Sequence, residues 1–250
     1  MIRWSKRTDF LSIRLPFVLF VLYLLFVQLL KKPFSAYSHI VDTKPFTSCD
    51  IYLWMQYITF IFVCTITAFY FEETFRKAPA QYIGVLRPGV LKTVVNRWLC
   101  LLILLEVLYL PFIALSVKRI NSFIVINGFI KDPPLLNMSM VICQCAVAML
   151  FYITFTMFLT ALFKSRVYTL VFSMALCALE ATVIPVIMGD YALFRGAFNS
   201  ADFHCYLMPN NIIMLILSAI FVPAAILLYN PGKMSHAHKS TFFNYNIHLK

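Results

Sequence analysis

Charge is scarce in this sequence: Asp, Glu, Lys and Arg make up only 12% of the 250 residues, and only 10 residues are acidic. The mean hydropathy is +0.83, and 62% of the residues are hydrophobic. A water-soluble domain of this length could not cover so much apolar surface with so few polar groups. The lack of charge therefore excludes an ordinary soluble globular protein and indicates a membrane protein.

A second absence narrows the fold class. No part of the sequence alternates apolar and polar residues over barrel-like segments. Only helices or closed barrels cross a hydrocarbon core of ~30 Å, and barrel strands need that period-two alternation. We therefore predict an all-α, polytopic membrane protein. A single domain over residues 1–250 is expected, because no hydrophilic segment is long enough to build a second core.

Long apolar runs take the place of the missing charge, and they predict six transmembrane helices. The runs begin at Leu15, Ile51, Trp98, Met138, Val167 and Ile212. Basic residues precede the first run, as in a secretory signal, but a lysine pair follows it and no small-residue cleavage site is present. We expect the first run to be an uncleaved anchor.

The basic residues predict the orientation. With six spans, both termini, the loop 71–97 and the turn 164–166 share one side, which carries twice as many Lys and Arg residues as the other. Cytoplasmic segments of membrane proteins are rich in Lys and Arg. We therefore expect cytoplasmic termini, a cytoplasmic tail at 230–250 and a multi-pass protein of the cell membrane. The net charge of +11 follows from membrane insertion and anionic lipid, and it indicates no nucleic-acid partner.

Cysteine and histidine give no sign of a metal site or a disulfide framework. Five of the seven cysteines lie in predicted spans, where cysteine acts as a small apolar residue. Cys49 and Cys205 fall outside the spans on the same side, so a disulfide between them stays open. The pair His236 and His238 lacks carboxylate or thiolate partners, and no metal is expected.

Two further segments have open assignments. Residues 1–14 mix basic with apolar side chains, so they are either an interfacial amphipathic lead-in or an ordinary charged terminus. The segment 190–211 is half apolar and is a candidate to fold back into the outer leaflet as short helices.

The loop 71–97 stands out because it interrupts two apolar spans with charge and proline. The second span ends in Glu72 and Glu73, and Pro79 suits the first turn of a new helix, where its missing N–H would be unpaired anyway. Tyr82, Ile83 and Leu86 would form one apolar patch on that short helix.

The short helix is predicted to end at Arg-Pro-Gly, residues 87–89, because this tripeptide disfavours helix continuation. From Gly89 a second helix, apolar on one side, leads into the third span. The sequence therefore predicts a helical element outside the membrane between two rigid spans. An ordinary interfacial connector is the alternative interpretation.

Several motifs occur in the order of a known family. Besides six spans and a basic lead-in, the chain has "FEE" at 71–73, "LRPG" at 86–89, "NRW" at 96–98 and "LTALFKSRVYTLVFS" at 159–173. In this combination it resembles the membrane subunit of ABC transporters of the exporter-type (type-2) permease family. That family often has a glycine soon after the acidic pair and a lysine before the third span. This chain has "TFRKAPA" and Arg97 instead.

The resemblance implies a non-enzymatic permease that pairs with a second copy or a paralogue in the membrane lipid and moves a substrate out of the cell or across the bilayer. A separate ABC ATPase subunit would bind ATP and Mg²⁺, and this chain contains no G-x-x-x-x-G-K-[ST] phosphate loop. The residues that the resemblance places at the ATPase contact are Glu72, Glu73, Arg76, Pro79, Tyr82, Ile83, Leu86 and Arg87.

Glu106 and Glu180 are acidic residues within predicted spans. A charged carboxylate facing lipid at that depth costs about 2.5 kcal/mol or more, so each should face protein or water, or stay protonated. They either line a path for a cationic or amphipathic substrate or form structural hydrogen bonds between helices. The alternative function for the chain is a stand-alone ion- or proton-coupled carrier or a membrane sensor. Peptide antibiotics, lipids and hydrophobic drugs suit the aromatic-rich interior equally well.

Overall fold

The computed structural model describes residues 5–29, 50–81, 88–127, 137–182, 191, 193–194 and 209–229. Six α-helices account for nearly all of these residues, and no strand occurs among them. The helices are α1 (Ser5–Leu29), α2 (Asp50–Gln81), α3 (Pro88–Asn127), α4 (Met138–Phe163), α5 (Arg166–Thr182) and α6 (Pro209–Tyr229). The all-α prediction is confirmed for this part of the chain.

Three segments are long and apolar enough to cross a membrane: Val94–Arg119, Met138–Phe163 and Pro209–Leu228. The apolar segments Arg14–Leu29 and Tyr57–Glu72 are shorter. Helix α5 has 17 residues, which at 1.5 Å per residue gives a length of about 26 Å. The described part of the chain therefore has the composition of a membrane protein, with three helices that meet the length and hydropathy of a full span.

The ends of α4 show why this helix begins and stops where it does. The side chain of Asn137 accepts a hydrogen bond from the backbone N–H of Met140 at 3.3 Å, which caps the first turn. At the other end Lys164 adopts a left-handed conformation with φ 53°, and its N–H donates to the carbonyl of Thr160 at 2.9 Å. This geometry closes the helix and leaves a two-residue turn before α5.

Helix α4 lies at the centre of the bundle. It packs most extensively against α6, and next against α2 and α3. Of the most apolar part of each helix, 72% is buried in α4, compared with 39% in α3 and 22% in α6. A helix that is apolar all round belongs in such a central position, because every one of its faces meets another helix.

The outer helices expose large apolar side chains. Leu29 of α1 is 77% exposed, Val107 of α3 69% and Leu227 of α6 72%. Contiguous apolar surface of this kind would drive aggregation in water, whereas lipid solvates it. The burial pattern therefore agrees with the composition in indicating a membrane environment.

Polar contacts fix which helix ends meet. The Gln28 amide of α1 donates to the Ser116 hydroxyl of α3 at 2.9 Å, and Arg119 donates to the Gln28 carbonyl at 2.6 Å. The last turn of α1 therefore lies beside the second half of α3. At the other end of the bundle the last turns of α2 meet the first turns of α3 and α5 through Arg97 and Arg166. We call this second region the arginine end.

Candidate functional site

The arginine end joins α2 to α5 through Glu72 and Arg166. The Arg166 Nε lies 3.5 Å from the Glu72 Oε2, and the backbone N–H of Arg166 donates to Glu72 Oε1 at 3.3 Å. The guanidinium also lies over the Phe69 ring, 4.6 Å from its centroid. Glu72 is 18% exposed and Arg166 42%, so the pair sits at the margin of the apolar bundle rather than within it.

A second arginine joins α2 to α3 at the same end. The Arg97 guanidinium donates to the Thr74 hydroxyl and lies 5.9 Å from the centroid of the Tyr70 ring. Phe71 and Phe75, one helical turn apart on α2, are buried and stack on each other with centroids 5.6 Å apart. Near its end, α2 thus packs through Phe71 and Phe75 and makes polar contacts with Arg97 and Arg166.

The two arginines connect α2 to two other helices. Helices α2 and α3 flank residues 82–87, and α2 is tied at its last described turns to both α3 and α5. Helix α5 follows α4 after only Lys164 and Ser165, so these contacts connect α2 both to α3 and to the α4–α5 turn.

The predicted docking residues fall partly inside the described chain. Glu72 takes part in the arginine end, as above. Glu73, Arg76 and Pro79 lie on α2, and their side chains are outside the described part of the structure. The remaining four are outside the described residues altogether: Tyr82, Ile83, Leu86 and Arg87.

One local prediction in this region was wrong. Helix α2 continues unbroken to Gln81, so Pro79 lies in its last turn and does not begin a separate helix. Close to a helix end a proline removes only one hydrogen bond, and the buried side chains of Phe71 and Phe75 hold the preceding turns. The predicted helix start at Gly89 is confirmed to within one residue, because α3 begins at Pro88, a favoured first helical residue.

Glu106 lies on α3 at the edge between its buried and exposed faces. Its neighbour Leu105 is fully buried, whereas Val107 is 69% exposed. Glu106 is itself of intermediate exposure, and within the described chain no residue forms a hydrogen bond or ion pair with it. Its assignment to a substrate path stays a prediction.

Glu180, near the end of α5, is buried and engaged by backbone. Its Oε2 accepts the N–H of Leu193 at 2.7 Å, and its Oε1 accepts the N–H of Phe194 at 2.6 Å. Only 3% of the residue is exposed. Both side-chain oxygens thus accept short hydrogen bonds, which satisfies much of the requirement of a buried carboxyl group for donors.

The Phe194 side chain is enclosed by aromatic rings. We call the residues around it the aromatic cage; they are Phe60 of α2 and Phe151, Tyr152 and Phe155 of α4. The closest ring, that of Phe60, has its centroid 4.4 Å from that of Phe194. The Tyr152 hydroxyl donates to the Phe194 carbonyl at 3.1 Å. Side chain, N–H and C=O of one residue are therefore all held inside the bundle.

The cage lies deep in the bundle. At 1.5 Å per residue, Tyr152 is about 21 Å along α4 from Met138 and about 17 Å from Phe163. Phe194 thus contributes non-helical backbone near the middle of α4. Such backbone occurs at membrane depth only where protein or enclosed water covers it. The sequence makes 190–211 a candidate to fold back into the outer leaflet as short helices; Leu193 and Phe194 form a bend and a turn, most of the segment lies outside the described residues, and the assignment stays a prediction.

The sequence did not predict three of the contact residues to be site residues: Arg166, Tyr152 and Phe194. Arg166 had been counted only for orientation, and its position directly after a two-residue turn was the available signal. For Tyr152 no signal distinguishes one buried aromatic residue from the others. Among the described residues, no group of three or more His, Cys, Asp or Glu side chains could hold a metal ion.

Comparisons with protein-family models, with curated proteins and with solved structures gave no match to this chain. The features that bear on function are therefore the arginine end, the Glu180 site and the sequence motifs.

Proposed function

We propose that this chain is the membrane subunit of an ATP-driven exporter or flippase of the exporter-type ABC permease kind. In this proposal all six helices are membrane spans, the arginine end faces the cytoplasm, and the chain pairs with a second copy or a paralogue. ATP hydrolysis takes place on a separate ABC ATPase subunit that docks on residues 72–87.

The observation that carries the proposal is the double connection of α2 at the arginine end. Arg97 and Arg166 join the last turns of α2 to α3 and α5, and the connection is made of directional contacts rather than of general packing. A connector between two independent helices would not need such ties. A connector that receives force would need directional contacts of this kind, because displacement is transmitted only through elements that move together.

The mechanism is conformational. Closure of the ATPase on its nucleotide displaces the α2–α3 connection, and the arginine end passes this movement to the first turns of α3 and α5. The ATP-bound partner then shifts the population of the bundle toward a second arrangement, to the extent that it binds that arrangement more tightly.

Affinity purification of the tagged full-length chain from its native membranes tests the proposal. We expect an ABC ATPase, identified by peptides of its phosphate loop, to co-purify in stoichiometric amount and to hydrolyse ATP. Changing Tyr82, Ile83 and Leu86 to Asp should abolish co-purification, because the predicted apolar docking patch becomes anionic.

A control places two Asp residues on the predicted opposite side, with Leu135→Asp and Leu136→Asp. This double variant should retain the ATPase. Retention of the ATPase by the triple variant, or absence of any ABC ATPase from the wild-type preparation, contradicts the proposal.

A second candidate, a proton-coupled carrier, is favoured by one observation. Glu106 is a half-exposed carboxyl group in the most apolar part of α3 and forms no ion pair with a described residue, so it has the surroundings of a proton-binding group. Vesicles containing the purified chain alone would then show uptake driven by a pH gradient, and Glu106→Gln would abolish it. Uptake only in the presence of the ATPase and ATP excludes this candidate.

A further inference from the structure

Glu180 is a buried acid whose hydrogen-bond donors come from a short stretch of irregular backbone. A buried carboxylate that loses its donors is strongly destabilised, so a direct exchange of one set of donors for another is favoured over exposing it without them. In this structure the N–H groups of Leu193 and Phe194 contribute two donors, at 2.7 and 2.6 Å.

The bundle contacts the ring and the carbonyl group of Phe194 as well as its N–H group. The aromatic cage surrounds its ring, with centroids 4.4 to 6.5 Å away. Tyr152 donates to its carbonyl oxygen. The site thus holds an aromatic ring, N–H donors and a carbonyl acceptor of the chain itself in fixed relation. These are the groups of an aromatic residue in a peptide.

Helix α5 connects this site to the arginine end. Arg166, in its first turn, pairs with Glu72, and Glu180 is 14 residues further along the same helix, about 21 Å away at 1.5 Å per residue. The outward face of α5 is exposed, with Val167 and Val171 at 60% and 62%. A movement of α5 started at the arginine end therefore acts directly on the carboxylate that holds residues 193–194.

We propose that the Glu180 carboxylate and the aromatic cage form the substrate site of this permease, and that residues 193–194 occupy it when substrate is absent. The substrate class is a peptide or amide that carries an aromatic group next to N–H donors. This inference rests on the proposed function and specifies its substrate. Exchange of the backbone donors for those of the substrate keeps the carboxylate paired throughout. A ligand without donors does not replace the two backbone N–H groups and is rejected.

Equilibrium binding of two radiolabelled probes to the purified full-length chain in detergent tests the inference. N-acetyl-L-phenylalaninamide carries the ring, the N–H donors and the carbonyl acceptors, whereas methyl 3-phenylpropionate carries the ring but no N–H. We expect Phe194→Ala to raise the affinity for the amide at least about tenfold over wild type, because the internal competitor loses its ring. In that variant the ester should bind at least about tenfold more weakly than the amide.

Hydrogen–deuterium exchange separates a substrate site from a fixed part of the fold. Bound amide should speed up exchange at residues 193–194, because it takes their place on Glu180. Adding Glu180→Gln to Phe194→Ala should remove the preference for the amide. Where Phe194→Ala fails to fold, the same comparison is made with Phe194→Leu, which keeps an apolar side chain in the cage.

Equal binding of the two probes would show a plain apolar cavity and overturn the inference. Absence of binding, or continued protection of residues 193–194 with the amide bound, would overturn it as well. No ATPase is present in these measurements, so their failure leaves ATPase co-purification standing. Conversely, absence of an ABC ATPase from the wild-type preparation contradicts the proposed function, and this result does not depend on the probe affinities.

Discussion

Glu72 and Glu180 show two ways of placing a carboxylate in an apolar bundle. Glu72 lies at the arginine end, 18% exposed, and pairs with a guanidinium that is itself 42% exposed. Glu180 is 3% exposed and accepts two backbone N–H groups at 2.7 and 2.6 Å. At the margin, water shares in solvating the charge, so a flexible ion pair suffices. In the interior, fixed donors at short distance must replace water.

The difference has a mechanical consequence. An exposed ion pair is worth little in stability and can be rearranged cheaply, which suits a contact that is meant to move. A carboxylate held by backbone donors in a dry interior is costly to disturb unless another donor replaces them. The two ends of α5 therefore differ: Arg166 forms a partly exposed ion pair, and Glu180 accepts hydrogen bonds from backbone in the interior. Four experiments test this comparison.

The largest effect is expected for Glu180→Leu. This change leaves the N–H groups of Leu193 and Phe194 buried without their acceptor, at about 1–3 kcal/mol each, so we expect a loss of about 3 kcal/mol. For a chain of this size that corresponds to a fall in Tm of roughly 6–12 °C in detergent. The matched control, Glu106→Leu, should cause no comparable loss. An equal fall for both variants would show that Glu180 has no special role.

Tyr152→Phe should have the next largest effect. It removes one hydroxyl and leaves the Phe194 carbonyl without this donor, at a cost of about 1–2 kcal/mol. The measurement is thermal unfolding together with hydrogen exchange at residues 193–194, which should become faster. Tyr168→Phe is the control, because Tyr168 is 67% exposed and its hydroxyl is not enclosed by the bundle. Unchanged exchange in Tyr152→Phe would mean that the hydroxyl does not hold the segment.

A smaller effect is expected at the arginine end. A double-mutant cycle with Glu72→Gln and Arg166→Gln should give a coupling free energy of about 0.5–1 kcal/mol, because both partners are partly exposed. The coupling should fall in 1 M salt, where the screening length is about 3 Å. The loss caused by Glu180→Leu should not depend on salt. Salt dependence at both sites, or at neither, would remove the distinction between them.

The smallest effect concerns the turn that positions Arg166. Lys164 has φ 53°, a conformation that glycine adopts without steric penalty. Lys164→Gly should therefore raise stability by about 0.5 kcal/mol in thermal unfolding. Ser165→Gly is the control and should not stabilise, because Ser165 lacks a positive φ. Destabilisation by Lys164→Gly would indicate that the lysine side chain contributes more than the backbone strain costs.

The helices were predictable from sequence, because helix formation and burial follow from composition over windows of twenty residues. Every predicted span begins within an observed helix. The prediction of a new helix starting at Pro79 was wrong. Helix α2 continues past this residue, and the buried phenylalanines Phe71 and Phe75 stabilise its preceding turns. It was incomplete at Glu72, whose importance was suggested by a motif but whose partner was not foreseen.

The contacts of the candidate site were not predictable in the same way. Arg166 is 94 residues from Glu72 in sequence, and Phe194 is 42 residues from Tyr152. No local pattern indicates which of the 21 basic residues meets a particular acid, or which of the 25 phenylalanines enters the cage. For Glu180 the sequence left two roles open, and the structure shows hydrogen bonds to backbone, which its path assignment did not include.

The amino-acid sequence by itself determined that this chain forms apolar helices suited to lipid, because transfer free energies add along the chain and need no knowledge of neighbours. Only the tertiary structure decided that one acid pairs with a guanidinium at the end of the bundle while another binds irregular backbone in its middle. The physical reason is that hydrogen bonds and ion pairs act over a few ångströms, so their partners are fixed by how the helices pack rather than by where residues stand in sequence.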